Sequence, residues 1–272
     1  YTGEDTLSLH DALPISGKFR NAGQVCASPT RFYVHESIAK EVEEKLITAT
    51  RALRVGSPLD DATDLGPLAT RRRRDAIEQL VDNAVSGGAR VLSGGMRPRL
   101  MDRGYFYEPT WLTQLQPDAL VLNDEPFGPI GTLATFSTLD QVIAEANRLP
   151  FALAAYVFTR SLTKTHATVD RLQAGVIGVN TFVAATAETP SAVVRARNSR
   201  RDICPARVSS AYMVAAGWTL APVVLSSIWI SLSGNRFIFV VAVSPLGCAP
   251  ASGPITGRKR ARARRQRTSQ TP

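Results

Sequence analysis

The feature that most limits the fold of this chain is an alternation of strand-like and helical segments from Gly17 to about Pro190. Short runs of β-branched and aromatic residues alternate with roughly 10–16-residue segments whose apolar side chains recur at helical spacing. The predicted strands are residues 30–35, 89–92, 105–112, 130–136, 153–158 and 176–179. Such alternation is typical of βαβ units, so the chain is predicted to be an α/β protein with a largely parallel sheet flanked by helices.

Polar residues and glycines at the segment ends predict where the helices begin and end. Ser37 and Thr70 are suited to cap two helices, and Thr138 with Gln141 is typical of a capping box. Gly175 is predicted to end the last helix. The helices are expected to begin after these caps and to end near residues 56, 87, 149 and 173.

Charge divides the chain after Pro190 into two parts. Residues 191–272 contain 13 of the 32 Lys and Arg residues but only one of the 23 acidic residues, Asp202. The formal net charge of +9 therefore comes from this C-terminal part, and nucleic acid is not expected as a partner of the α/β region. Three cysteines are too few for the disulfide framework of a secreted protein, which favours a reducing, cytoplasmic location.

Four short motifs follow one another in order within the α/β region. They are Lys18-Phe-Arg-Asn-Ala-Gly-Gln-Val-Cys26-Ala-Ser, Leu122-Asn-Asp-Glu125-Pro-Phe127-Gly-Pro-Ile130, Asn147-Arg-Leu-Pro-Phe-Ala-Leu-Ala-Ala-Tyr-Val-Phe-Thr159, and Ala174-Gly-Val-Ile-Gly-Val-Asn180 followed by Ala187-Glu-Thr-Pro190. Together they resemble the aldehyde dehydrogenase family, and most of all its succinate-semialdehyde dehydrogenase group. The resemblance covers residues 17–190 and implies the family's catalytic domain, incomplete at both ends.

The resemblance implies that Cys26 is the catalytic nucleophile. A thiolate adds readily to an aldehyde carbonyl, and the thiohemiacetal that forms can lose a hydride to become a thioester. Gly23 allows a close backbone approach beside the cysteine, and the N–H of Cys26 itself is expected to be one oxyanion donor. From the residues alone, a lone cysteine is more typical of a small buried side chain, and it is the resemblance that favours the nucleophile.

The resemblance also implies that Glu125 binds the nicotinamide ribose hydroxyls and that Phe127 packs beside the nicotinamide ring of NAD or NADP. A carboxylate can accept two hydrogen bonds from neighbouring hydroxyls, and Pro126 and Pro129 restrict the turn around it. By itself, this segment is also typical of an acidic loop before a buried strand. The implied partners are a small aldehyde and further copies of the chain in a homo-oligomer, with no metal ion and no membrane.

Two segments are expected to lie outside the catalytic domain. The run from Thr6 to Ile15 resembles one reading frame of a sequencing-library adapter, so residues 1–16 are predicted to be a leader. The family's Pro-Phe-Gly-Gly sequence is replaced by Pro190-Ser-Ala-Val-Val194, which a one-base frameshift at codon 191 would produce. Residues 191–272 are therefore predicted to be an out-of-frame tail.

The family's Glu-Leu-Gly-Gly motif, which holds its general base, has no match before Cys26, so we expect no turnover from the chain as written.

Two other functions depend on the C-terminal part. Residues 208–235 carry no charge and have the length of a membrane-spanning helix, although Pro222 and several serines disfavour one. Residues 257–267 are rich in arginine, which suits a polyanion. A membrane-anchored protein and a polyanion-binding protein are therefore the alternatives to an aldehyde-oxidising enzyme.

Overall fold

The structure, a computed structural model, describes residues 13–99, 101, 103–182, 211–214 and 238–242. The helices in these ranges are α1 (Leu13–Phe19), α2 (Ala39–Arg51), α3 (Arg71–Ser86), α4 (Leu120–Asn123), α5 (Leu139–Ala146) and α6 (Leu162–Arg171). The strands are β1 (Arg31–His35), β2 (Arg90–Ser93), β3 (Thr110–Thr113), β4 (Ile130–Phe136), β5 (Ala154–Phe158), β6 (Val176–Val179), β7 (Ala211–Val214) and β8 (Ile238–Ala242). They form one sheet in the order β2-β3-β4-β1-β8-β5-β6-β7.

The sheet is largely parallel, which confirms the predicted fold class. β3, β4 and β1 pair in parallel on one side of the sheet, and β5, β6 and β7 do so on the other. β2 runs antiparallel to β3, and β8 lies antiparallel between β1 and β5. β7 and β8 come from the region predicted to be a tail, so this region contributes strands to the sheet, while its origin stays a prediction.

Trp111 of β3 connects several elements in the core. Its side chain is fully buried, and its ring makes edge contacts with Phe19 of α1 and Phe32 of β1, at centroid distances of 5.8 and 4.8 Å. Its indole N–H donates to the Thr50 hydroxyl of α2 at 2.8 Å. The ring also covers Gly131 of β4, where a Cβ would overlap it. This one side chain therefore fixes two helices against the half of the sheet that carries β1 and β4.

Two helix caps are confirmed because they depend only on neighbouring residues. The Thr70 hydroxyl accepts from the Arg73 N–H at the start of α3, and the Thr138 hydroxyl accepts from the Gln141 N–H at the start of α5. The Gln141 side chain accepts in return from Ser137, one residue before the position that a capping box uses.

Other local predictions were wrong. Ser37 does not cap α2, because a 3₁₀ turn over Glu36–Ile38 intervenes and the Ser37 N–H donates to the His35 ring. Gly175 does not end α6, since the chain is already extended at Leu172. α5 ends at Ala146, three residues earlier than predicted. Of residues 105–112, strand β3 takes only those after Pro109, which has no N–H to donate to a sheet.

No helix within the described ranges is long and apolar enough to cross a membrane. The predicted membrane-spanning stretch, residues 208–235, lies outside those ranges except for β7, and residues 257–267 lie wholly outside them.

The Trp111 hydrogen bond can be tested with two matched substitutions on α2. Thr50→Val leaves the buried indole N–H without its acceptor, so we expect a loss of about 1–3 kcal/mol in the free energy of unfolding. Thr48→Val makes the same change at an exposed position of the helix and should cost no more than ~0.5 kcal/mol. Urea denaturation measures both values. Equal losses would show that the indole bond contributes nothing specific.

Candidate active site

Two of the sequence motifs meet at one edge of the sheet. Residues 18–28, which we call the Cys26 loop, precede β1, and residues 125–129, the Glu125 turn, precede β4. β1 and β4 are parallel neighbours, so the segments that enter them lie side by side. The Thr132 N–H of β4 donates to the carbonyl of Thr30 at 2.9 Å, directly after the Cys26 loop. Pairing in the sheet therefore explains why residues a hundred positions apart are brought together.

The two segments touch through their backbones at Gly23. This residue has a φ of +72°, and a Cβ there would overlap the carbonyl oxygen of Gly128 and lie 3.1 Å from the Pro129 nitrogen. Only glycine meets both requirements, a left-handed conformation and contact without a side chain. Gly23 therefore determines how closely the Cys26 loop approaches the Glu125 turn.

The loop around Gly23 holds a conformation that ordinary residues avoid. Asn21 and Ala22 have φ values of 53° and 52°, each of which costs about 1–2 kcal/mol for a non-glycine residue. Side-chain amides offset this cost, because Asn21 donates to the Gln24 carbonyl at 3.0 Å and Gln24 donates to the Asn21 carbonyl at 3.1 Å. The Gln24 side chain also accepts from the Ala69 N–H at 2.9 Å. The strained turn is thus held from two sides.

Cys26 lies exposed in a tight turn at the end of this loop. The Ser28 N–H closes the turn by donating to the Val25 carbonyl at 2.9 Å, a bond that does not use the N–H of Cys26. From β5, the Tyr156 hydroxyl donates to the Ala27 carbonyl at 2.8 Å. Burial raises the pKa of Tyr156, and nearby Cys26 raises it further, so the phenol remains a donor. The alternative of a buried structural cysteine is wrong for this position.

Phe127 and Glu125 are half-buried in their turn. Phe127 has a φ of 39°, and the Arg73 guanidinium of α3 lies over its ring, 5.7 Å from the centroid. Arg73 also donates to the Pro126 carbonyl at 3.4 Å. Sequence reasoning did not identify Arg73, since its partner is 53 positions away and nothing in the local pattern connects the two.

Lys18, at the start of the Cys26 loop, is fully buried. Its amine donates to the Ser28 hydroxyl at 3.3 Å, and that hydroxyl donates to the Lys18 carbonyl at 3.0 Å. Burial lowers the pKa of Lys18 to about 7, and attraction to the Glu125 carboxylate offsets part of this effect. The buried amine is therefore close enough to Glu125 to sense its charge. In the described part of the chain, no cluster of His, Cys, Asp and Glu suits a metal ion.

The contact at Gly23 predicts a large effect of one added methyl group. Gly88→Ala adds a side chain at a φ of +92° where no atom lies within 4 Å, so it should cost about 1–2 kcal/mol from backbone strain alone. Gly23→Ala carries the same kind of strain and also clashes with Gly128, which should cost a further ~1–3 kcal/mol. Urea denaturation of the two variants separates these effects. If they lose the same stability, the two segments are not in contact.

The depressed pKa of Lys18 predicts how stability depends on pH. The amine has a pKa of about 7 in the folded chain and 10.5 when exposed, so the unfolded chain binds more protons between these values. Unfolding free energy should therefore rise with pH from about 7 to 10.5, relative to Lys18→Met, with a limiting slope of about 1.4 kcal/mol per pH unit. Urea denaturation of both chains at pH 7–9.5 measures the difference. A difference that stays constant would mean that the amine titrates normally.

Comparison with known proteins extends these observations. The sequence profile of the aldehyde dehydrogenase family matches residues 11–195. Betaine aldehyde dehydrogenase of Brucella anthropi is 38% identical over 176 residues, which cover 64% of this chain and 36% of that protein. Among solved structures, the succinate-semialdehyde dehydrogenase from Burkholderia pseudomallei has a TM-score of 0.65 and 31% identity, covering 71% of this chain and 39% of its own. The NAD+ complex of an aldehyde dehydrogenase from Bacillus cereus has a TM-score of 0.64 and 26% identity, covering 70% and 38%. This chain thus spans less than two-fifths of these relatives' length.

Proposed function

Because the chain belongs to the aldehyde dehydrogenase family, we propose that it carries the part of an enzyme that oxidises an aldehyde to its carboxylic acid with NAD or NADP. The observation that supports this most strongly is the direct backbone contact between the Cys26 loop and the Glu125 turn at Gly23. This contact joins the loop that carries the proposed nucleophile, Cys26, to the turn that carries the proposed ribose-binding carboxylate, Glu125. The reaction needs a nucleophile for the aldehyde and a group that binds the cofactor, and these two segments would supply both.

Cys26 acts as the nucleophile in this proposal. The sulfur forms a bond to the carbonyl carbon, the thiol proton passes to the oxygen, and a thiohemiacetal results. Loss of the hydride from that carbon leaves a thioester, which water cleaves to the acid and the free thiol. The N–H of Cys26 lies outside the hydrogen bond that closes its turn, which supports its use as an oxyanion donor.

Glu125 and Phe127 hold the nicotinamide cofactor in this proposal. The residues present fit this group, because an ionised carboxylate accepts hydrogen bonds from neighbouring ribose hydroxyls and a half-buried ring offers an apolar surface. NAD or NADP, when bound, supplies the acceptor for the hydride. The Bacillus cereus aldehyde dehydrogenase, which was solved with NAD+, supports the choice of cofactor.

We propose further that the aldehyde carries a negative charge, as succinate semialdehyde does. Arg20 is exposed in the Cys26 loop, and its charge acts on Tyr156, whose hydroxyl binds the residue after Cys26. A cation in this position attracts a carboxylate and repels the cation of betaine aldehyde. Betaine aldehyde remains the second candidate because of the Brucella anthropi relative.

Residues 17–190 are proposed as the catalytic part of the chain and residues 191–272 as an out-of-frame tail. The family match covers residues 11–195, so its end supports a boundary near Pro190, while its start includes part of the predicted leader. Independent sequencing of the locus tests it. A codon for Phe followed by two for Gly directly after Pro190 is the expected result, and the printed sequence through this junction would contradict it.

Aldehyde protection of Cys26 tests the proposed reaction on this chain. Succinate semialdehyde should slow the alkylation of Cys26 by iodoacetamide, because the thiohemiacetal occupies the sulfur. Arg20→Gln should raise the aldehyde concentration that halves the rate by about 5–10-fold, since it removes ~1–1.4 kcal/mol of charge attraction. Peptide mass spectrometry measures the rate at each cysteine separately.

Three controls make the result specific. Propanal, which has no charge, should protect wild type and Arg20→Gln equally. Arg51→Gln, which removes an exposed arginine from the end of α2, should leave protection by succinate semialdehyde unchanged. Equal protection of Cys26, Cys204 and Cys248 would mean that the aldehyde reacts with any thiol, and the proposed nucleophile would be refuted.

A further inference from the structure

Lys18 has no part in the reaction as described above, yet it occupies an unusual position. Its side chain is fully buried at the start of the Cys26 loop, where a charged amine is costly to place. A methionine of similar length would fill the same space without that cost. Complete burial also prevents the amine from reaching a bound aldehyde or solvent water. Any role of Lys18 must therefore act through its neighbours.

The first neighbour is Ser28. The Lys18 amine donates to the Ser28 hydroxyl, which in turn donates to the Lys18 carbonyl, so the first and last residues of the Cys26 loop are joined twice. Cys26 lies within the loop that these bonds close. The pair therefore limits how far the cysteine can move relative to β1.

The second neighbour is Glu125. Its carboxylate acts on the Lys18 amine by charge attraction, from the turn that contacts the Cys26 loop at Gly23. The same amine thus interacts with the Cys26 loop through Ser28 and with the Glu125 turn through charge. The direct contact at Gly23 involves backbone alone and does not orient either functional side chain.

We propose that Lys18 is a positioning residue that couples the two halves of the site, by closing the Cys26 loop through Ser28 and by holding the Glu125 carboxylate through its charge. We call the hydrogen bonds between Lys18 and Ser28 the Ser28 arm of this coupling, and the charge attraction between Lys18 and Glu125 its Glu125 arm. The role of the Glu125 arm in cofactor binding rests on the proposed function. The coupling itself does not depend on it.

The Ser28 arm is tested by the alkylation rate of Cys26 in four chains: wild type, Lys18→Met, Ser28→Ala and the double variant. Each single variant should raise the rate about threefold or more, because the loop is released, and the double variant should add little to either. Lys40→Met, at an exposed position of α2, should leave the rate unchanged. Two results would overturn this arm. One is an alkylation rate of both single variants within roughly 1.5-fold of wild type, which is about the precision of such rates. The other is a double variant whose rate increase equals the product of the two single increases. If Lys18→Met fails to fold, Ser28→Ala breaks the same bond and leaves the lysine in place.

The Glu125 arm is tested by NMR titration of chains labelled with ¹³C-lysine. The chain has five lysines, and the Lys18 signal is the one that disappears in Lys18→Met. Glu125→Gln should lower the pKa of Lys18 further, because the attracting charge is lost, whereas Asp124→Asn removes an exposed charge one position away and should leave it unchanged. A purely structural lysine would not respond differently to these two changes. Equal responses, or none, would overturn the coupling to Glu125.

Nicotinamide mononucleotide distinguishes failure of this inference from failure of the proposed function. We expect Lys18→Met to weaken its binding about fivefold or more and Lys40→Met to have no effect. If wild type does not bind the nucleotide while the alkylation and titration results are as expected, the cofactor role of Glu125 fails and the coupling stands. If the nucleotide binds equally to wild type and Lys18→Met, the positioning role is overturned.

Discussion

The site depends on the parallel pairing of β1 with β4. Parallel neighbours begin at the same edge of a sheet, so the segments that enter them are adjacent however far apart they lie in the chain. One of these segments carries Cys26 and the other carries Glu125 and Phe127. Trp111 of β3 stabilises this part of the sheet. Its ring packs against α1 and β1, and its indole N–H donates a hydrogen bond to α2. The two loops are adjacent because these two strands are paired.

Within that edge, the loops are shaped by groups that are individually unfavourable. Three successive residues that end at Gly23 have left-handed backbone, and Lys18 is a buried amine. Hydrogen bonds between Asn21 and Gln24, and between Lys18 and Ser28, offset these costs. Backbone strain and a buried amine that persist near an exposed cysteine are characteristic of functional sites, where geometry is kept at the expense of stability. The folded core around Trp111 supplies the stability that offsets this strain and the burial of the amine.

The sequence contained the information for the alternation of strands and helices but not for the contacts between these elements. The α/β class and the caps at Thr70 and Thr138 were predictable, because periodicity and capping depend on residues within a few positions. Cys26 and Glu125 were identified from motifs whose residues are contiguous. Tyr156 and Arg73 were not, since their partners Ala27 and Pro126 lie 129 and 53 positions away. The predicted cap at Ser37 was wrong because the His35 ring caps a 3₁₀ turn over Glu36–Ile38 by accepting from the Ser37 N–H, so the α-helix begins only at Ala39.

The proposed reaction requires Cys26 to form a covalent bond to an aldehyde at the edge where the two loops meet. Carbon-13 NMR with carbonyl-labelled succinate semialdehyde observes that bond directly. Wild-type chain should give a thiohemiacetal resonance in addition to the free and hydrated aldehyde, and Cys26→Ser should abolish it. A resonance that persists unchanged in Cys26→Ser, or its absence from wild type at saturating aldehyde, would contradict the assignment of Cys26 as the nucleophile.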